Sequence, residues 1–136
     1  MMAYDDYDSR VSIVDMKGKT FDRVYFRSYG DSELVTEMVF ENDEGRYVFY
    51  HYQNCCEGVA VEDWTGDVED LQGSPLLMAE AVSNYDAGKK DEYDDSYTWT
   101  FYKFATIKGH VDVRWYGTSN GYYSESVDLG YEKIGE

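Results

Sequence analysis

With 136 residues the chain has the length of one domain, long enough to bury a core without disulfide or metal staples. Its 12 Lys and Arg against 28 Asp and Glu give a formal charge of −16, which disfavours nucleic acid and anionic membrane, because phosphate affinity comes from cations displacing counterions. The 43% hydrophobic and 18% aromatic content excludes an acidic disordered tail, and no apolar run nears the ~20 residues of a membrane helix.

Residues 1–10, MMAYDDYDSR, lack the basic region and apolar core of a secretory signal. A cytoplasmic location is therefore expected, and these residues are expected to fray. Residues 11–16 read as a helical turn closed by Lys17-Gly18-Lys19. Residues 21–29 read as a strand, Val24 and Phe26 on one side, Tyr25 and Tyr29 on the other, ended by Gly30-Asp31-Ser32. Residues 33–41 alternate, with Leu34, Thr36, Met38 and Phe40 opposite in direction to Val35, Glu37, Val39 and Glu41. A hairpin loop at 42–45 leads into a Tyr-, Val- and Phe-rich strand at 46–52, and 59–64 is a further short strand. The loop TGDVEDLQG, 65–73, is expected to hold a helical turn with Asp67 as N-cap. Residues 74–83 contain LLMAEAV, which has helical propensity, but the bracketing Gly73-Ser74-Pro75 and Asn84 favour a strand. Residues 84–96 read as a charged loop.

The strongest pattern is residues 97–129, which read as three consecutive antiparallel strands. A two-residue turn at Lys108-Gly109, with glycine supplying a positive φ, pairs Thr106 with Val111, Phe104 with Val113 and Tyr102 with Trp115. Those six form an apolar face; the reverse face is mixed and sets Lys103 opposite Arg114. Tyr97 and Trp99 fall on the mixed face, so a bulge is expected there. The second turn, at Asn120-Gly121, leads into a strand at 122–129, and 130–136 is expected to be a frayed tail. The sum is a single domain spanning residues 1–136: an all-β antiparallel sandwich or strongly curled sheet of seven to eight short strands with little helix.

Four groups of residues bear on function. The acids Glu57, Glu62, Asp63, Asp67, Glu69 and Asp70 come with no Lys or Arg between them. They do not match a calcium loop; carboxylates on a rigid sheet can instead imitate duplex DNA, which carries one negative charge per ~1.7 Å of axis. Residues 86–95, DAGKKDEYDD, and the N-terminal Asp5, Asp6 and Asp8 extend that acidity. His51, Cys55 and Cys56 invite a zinc reading, but structural zinc needs four ligands and there is no second cysteine pair, so no metal is expected. Adjacent cysteines do not readily bridge each other, and these two are expected to be buried thiols. Finally, Tyr47, Tyr50, Tyr52, Tyr116, Tyr122 and Tyr123 exceed what one small core is expected to bury. Exposed tyrosines suit binding surfaces. A pocket of Arg114, Tyr116 and Tyr122, with His110 and Lys103 as further polar contacts, is the alternative use. No P-loop, dinucleotide fingerprint, G-x-S-x-G or H-E-x-x-H is present.

The wording YHYQNCCEGVAVEDWTGDVEDLQGSPLLMAEAV, followed by TWTFYKFATIKGHVDVRWYGTSNGYYSESVD, resembles a family of small, mainly bacteriophage-encoded proteins classed only as a domain of unknown function. The likeness covers residues 21–128 and rests on Cys-Cys-Glu, Gly-Ser-Pro and Asn-Gly-Tyr-Tyr-Ser-Glu-Ser. It implies no catalytic residues, only a context: an accessory protein made in the host bacterial cytoplasm. The expectation is a non-enzymatic acidic protein without cofactor that binds a basic, nucleic-acid-binding host effector. It would touch neither nucleic acid nor membrane itself. A sponge for a nucleotide signal and a small metal-binding protein using His51, Cys55 and Cys56 are the alternatives. Nothing in the sequence fixes an oligomeric state.

Overall fold

Strands with apolar residues at alternate positions must lay that face on a second layer. In the computed structural model, which describes residues 7–28, 33–53, 56–82 and 86–134, they do so as two four-stranded antiparallel sheets. The first sheet comprises β1 (Arg23–Arg27), β2 (Glu37–Glu41), β3 (Gly45–Tyr50) and β8 (Asp128–Lys133), in the order β1-β2-β3-β8. The second comprises β4 (Gly58–Thr65), β5 (Met78–Val82), β6 (Ser96–Thr106) and β7 (Gly109–Ser119), in the order β4-β7-β6-β5. Between them lies one core. Val24, Met38, Phe40, Tyr47 and Phe49 face Val59, Val61, Tyr102, Phe104, Val111, Val113 and Trp115. Rings meet across the layers, Phe40 on Phe104 at 4.8 Å and Phe49 on Tyr102 at 4.9 Å between centroids. Among the described residues, no helix is long and apolar enough to cross a membrane; the helical structure is two 3₁₀ turns, Ile13–Met16 and Val68–Leu71.

Most expected elements are present, including β5 within 74–83 and the Asp67 cap, whose side chain accepts from the Glu69 N–H at 3.0 Å. Tyr29, residues 30–32 and Cys55 lie outside the described residues. The β6–β7 hairpin keeps the predicted faces but not the predicted register. Thr106 pairs with Gly109, Phe104 with Val111 and Tyr102 with Val113, so the turn is Ile107-Lys108. Two consequences explain the shift. Lys103 now faces Asp112 instead of Arg114, with Glu80 on its other side, which removes a like-charge pair. Gly109, moreover, does not have a positive φ; its Cα packs close to the Asp70 side chain, a Cβ there lying 2.9 Å from Asp70 Oδ2. Pairing then runs unbroken from Ser96 to Thr106, so the bulge expected near Tyr97 and Trp99 is absent. At 11 residues each, β6 and β7 are not short strands.

The third strand is not a continuation of this hairpin. Residues 120–127 carry no strand, and β8 begins only at Asp128, crosses to the other sheet and pairs with β3. Residues 128–133 are therefore an ordered strand and not part of a frayed tail. Glu125 fastens the crossing segment: it is buried, and its carboxylate accepts from Thr98 Oγ1 at 2.8 Å and from Ser119 Oγ. At the other end of the chain, Tyr7 and Asp8 are docked, not frayed. Asp8 bridges Tyr131, and Tyr7 packs with Val39, Val48 and Tyr50 on the outside of the first sheet. Burial pushes the Tyr7 phenol up to about 12. This second, smaller core explains why β2 is buried on both faces.

Candidate functional site

The acidic block is distributed by a bulge in β4, the border strand of the second sheet. Strict alternation from Val59 and Val61 would send Asp63 into the core. Instead Val61 pairs with Trp115 and Asp63 with Arg114, leaving Glu62 as the extra residue. The slip turns Asp63 outward and puts Trp64 on the core-facing side of β4, where it remains exposed with its ring centroid 4.1 Å from that of Phe26. Glu62 and Asp63 thus stand side by side, both exposed. Beyond Gly66 the chain enters the 3₁₀ turn that carries Asp67, Glu69 and Asp70 against the tip of the β6–β7 hairpin. There the Asp70 carbonyl accepts from Thr106 Oγ1. Five of the six predicted acids therefore fall in two places, Glu62 and Asp63 on border strand β4 and Asp67, Glu69 and Asp70 on the turn at the tip of the β6–β7 hairpin. The sixth is in neither. Glu57 is 1% exposed, so it cannot present charge to a partner.

Glu57 has a different role. Its Oε2 lies 2.9 Å from His51 Nε2, and His51 Nδ1 lies 2.7 Å from the Ser126 carbonyl. A carbonyl only accepts, so Nδ1 carries a proton, and one further proton is held between Nε2 and the carboxylate. The pair ties the end of β3, the start of β4 and the approach to β8 together. His51 is consequently committed to Glu57 and Ser126. Among the described residues, no group of three or more His, Cys, Asp or Glu is placed to hold a metal ion. Cys56 is exposed and disulfide-bonded, not the buried thiol expected from its residue type. Its exposure follows from its position outside both cores.

The mixed face of β6 and β7 is where sequence reasoning missed most. Tyr97, Trp99, Arg114 and Tyr116 share it, and residues 86–95 run over them as a strap. Trp99 Nε1 donates to the Gly88 carbonyl at 2.8 Å, and the Tyr97 hydroxyl contacts Asp86 at 3.2 Å. Tyr116 Oη donates to Asp94 at 2.7 Å and accepts from the Lys90 N–H at 3.1 Å. Burial, followed by the bond to Asp94, pushes the Tyr116 phenol up. Arg114 lies over the Trp99 ring at 5.1 Å and holds Asp63 in a two-pronged pair at 2.6 and 2.5 Å. That guanidinium keeps the Asp63 carboxyl below the usual range.

Between the strap and β4 lies a groove of about 420 Å³, lined by Leu34, Ala60, Val61, Glu62, Lys90, Asp91, Asp94 and Tyr116 among others. Arg114 and Tyr122 are not part of it. The expected Arg114–Tyr116–Tyr122 pocket does not converge: Arg114 is engaged by Asp63, Tyr116 is buried with its hydroxyl used, and Tyr122 is 90% exposed. Of the six tyrosines expected at the surface, Tyr47, Tyr50 and Tyr116 are buried, whereas Tyr52, Tyr122 and Tyr123 are exposed.

The family described as Domain of unknown function (DUF7448) matches residues 12–129. The chain belongs to that family. The match runs from the first 3₁₀ turn to the start of β8, so the border acids, the strap and the groove of this DUF7448 chain all lie inside it. No curated protein and no solved structure matches the chain.

Proposed function

We propose that this protein is a non-catalytic inhibitor that occupies the basic, nucleic-acid-binding surface of another protein. In this reading it is encoded by a phage, acts in the bacterial cytoplasm and targets a defence nuclease or a similar effector. The observation that carries the reading is the set of carboxylates Glu62 and Asp63 on β4, paired with Lys90 and Arg114, and Asp67, Glu69 and Asp70 on the turn that follows it, on a chain of formal charge −16. Four of the five are exposed, and all five are fixed to a sheet or to a capped turn. Fixed charge costs a partner less ordering than charge on a loose tail. A field of this sign steers cations inward over a Debye length of ~8 Å at physiological salt. Exposed Tyr52, Tyr122 and Tyr123 supply contact area with little side-chain entropy to lose. The groove's carboxylates, Glu62, Asp91 and Asp94, work against the alternative of a phosphate-bearing ligand.

The test is capture of bacterial proteins on the immobilised chain at low and at high salt, with a five-site variant as control (Glu62→Gln, Asp63→Asn, Asp67→Asn, Glu69→Gln, Asp70→Asn). The expected capture is a basic, nucleic-acid-binding protein that salt elutes, that the variant fails to retain and whose nucleic-acid binding is lost on adding the wild-type chain. Capture that survives both salt and neutralisation would overturn charge as the basis of recognition.

A further inference from the structure

The groove beside the strap already contains a cation. Lys90 Nζ is ion-paired with Glu62 and stands 5.4 Å from the centroid of the Tyr116 ring. We propose that this groove is a seat for a cationic side chain of a basic partner, and that Lys90 is the internal occupant such a side chain displaces. The inference rests on the reading above and narrows it to one place and one chemistry.

Three observations support it. The walls combine the two groups that recognise an ammonium or guanidinium, an aromatic face and carboxylates. Tyr116 is the face, with Glu62, Asp91 and Asp94 around it. Leu34, Ala60 and Val61 add an apolar side for the methylene stem of an arginine or lysine. The volume left open with Lys90 in place, about 420 Å³, is within the range of ~300–1,000 Å³ usual for ligand sites.

The third observation concerns how Lys90 is held. Its backbone, not its ammonium, anchors the strap, through the N–H bond to Tyr116 Oη. Its side chain is 44% exposed and that of Glu62 30% exposed, so the ion pair belongs to the weak, solvent-screened class. Asp94 remains fixed by Tyr116 whether or not the ammonium is present. A competing guanidinium therefore meets a preformed wall and a weakly held incumbent. It also gains a planar fork that a carboxylate can grip at two points, which the ammonium does not offer. An anionic ligand would meet three carboxylates.

The experiment measures anisotropy of a fluorescein-labelled hexa-arginine peptide with the full chain at fixed low salt. Lys90→Ala is compared with Lys89→Ala, which changes net charge equally on an exposed neighbour. Glu62→Gln/Asp91→Asn is compared with Asp67→Asn/Glu69→Gln, which removes the same charge outside the groove. Lys90→Ala is expected to tighten binding several-fold more than Lys89→Ala, and the groove pair to weaken it several-fold more than the turn pair. Equal effects within each comparison would overturn the groove as the seat and leave the border-charge reading standing. Absence of any salt-sensitive binding by the wild-type chain would overturn both. Unchanged far-UV circular dichroism and melting temperature exclude misfolding; a variant that loses either is replaced by Lys90→Gln or by the single Glu62→Gln.

Discussion

Glu125 is a carboxylate surrounded by hydroxyls, and its ionisation is coupled to folding. Burial raises its pKa, but bonds from Ser119, Ser96 and Thr98 outweigh burial and hold it below the ordinary glutamate value. A carboxyl whose folded pKa lies below its unfolded one stabilises the fold above the unfolded value, ~4.3, and that contribution is lost as pH falls through the folded value. Glu125→Gln is therefore expected to lower stability at pH 7 by about 1–3 kcal/mol, since hydroxyls that faced a charge then face an amide. It should also flatten the acid limb of a plot of urea midpoint against pH. Parallel acid limbs for the two proteins would show that Glu125 carries no proton linkage. Asp63, also lowered, by Arg114, is common to both proteins and cancels in the difference.

At the scale of elements, the β6–β7 register makes a prediction of unusual sign. Lys103 lies between Glu80 and Asp112. Lys103→Glu should destabilise the protein by about 0.5–2 kcal/mol, two favourable cross-strand pairs becoming repulsive. Adding Asp112→Lys should recover part of the loss in a double-mutant cycle. Were the turn at Lys108-Gly109, Lys103 would face Arg114 and Lys103→Glu would stabilise. Equilibrium unfolding of the three variants distinguishes the two registers.

This hairpin also shows what was legible in the sequence. Its faces were, because alternation of Tyr102, Phe104 and Thr106 has period two whatever the turn. Its register was not, because the two adjacent turns differ in long-range partners such as Glu80 opposite Lys103, which the hairpin's own sequence does not contain. The return of β8 was hidden for a similar reason. Gly130 looks like a strand breaker, yet it is the residue over which Tyr7 packs, and a Cβ there would lie 2.6 Å from the Tyr7 Cβ. The acids were legible as a block but not as a surface: the β4 bulge turns Asp63 out, and His51 takes Glu57 in. Residues 86–95 are the charged loop expected, but their anchoring on Trp99, Tyr97 and Tyr116 was not legible, because those residues sit on a face whose composition gave no sign of a cover.

At the scale of the whole molecule, several of the cations are tied to neighbouring carboxylates. Arg23, Arg27, Arg46, Lys90 and Arg114 each pair with a carboxylate, and Arg23, Glu41, Arg46 and Glu132 alternate in sign across all four strands of the first sheet. With −16 overall, the remaining acids repel one another in the folded state. Added sodium chloride is expected to raise the melting temperature, by about 2–6 °C if screening is worth ~1 kcal/mol. A flat or falling melting temperature would mean that the ion pairs, which salt weakens, outweigh the repulsion.

Strand β8 lies between β3 and the segment of Asp8, which bridges Tyr131 from the opposite end of the sequence. No local event can complete the first sheet, because this seam joins Asp8 to Tyr131, residues far apart in the sequence. Loop closure on that scale must precede any reward from contact, which slows refolding to the millisecond-to-second regime of distant strand pairings. The same seam makes opening cooperative: releasing β8 bares Tyr7, Leu129 and Tyr131 together, so partial detachment has no stable resting point.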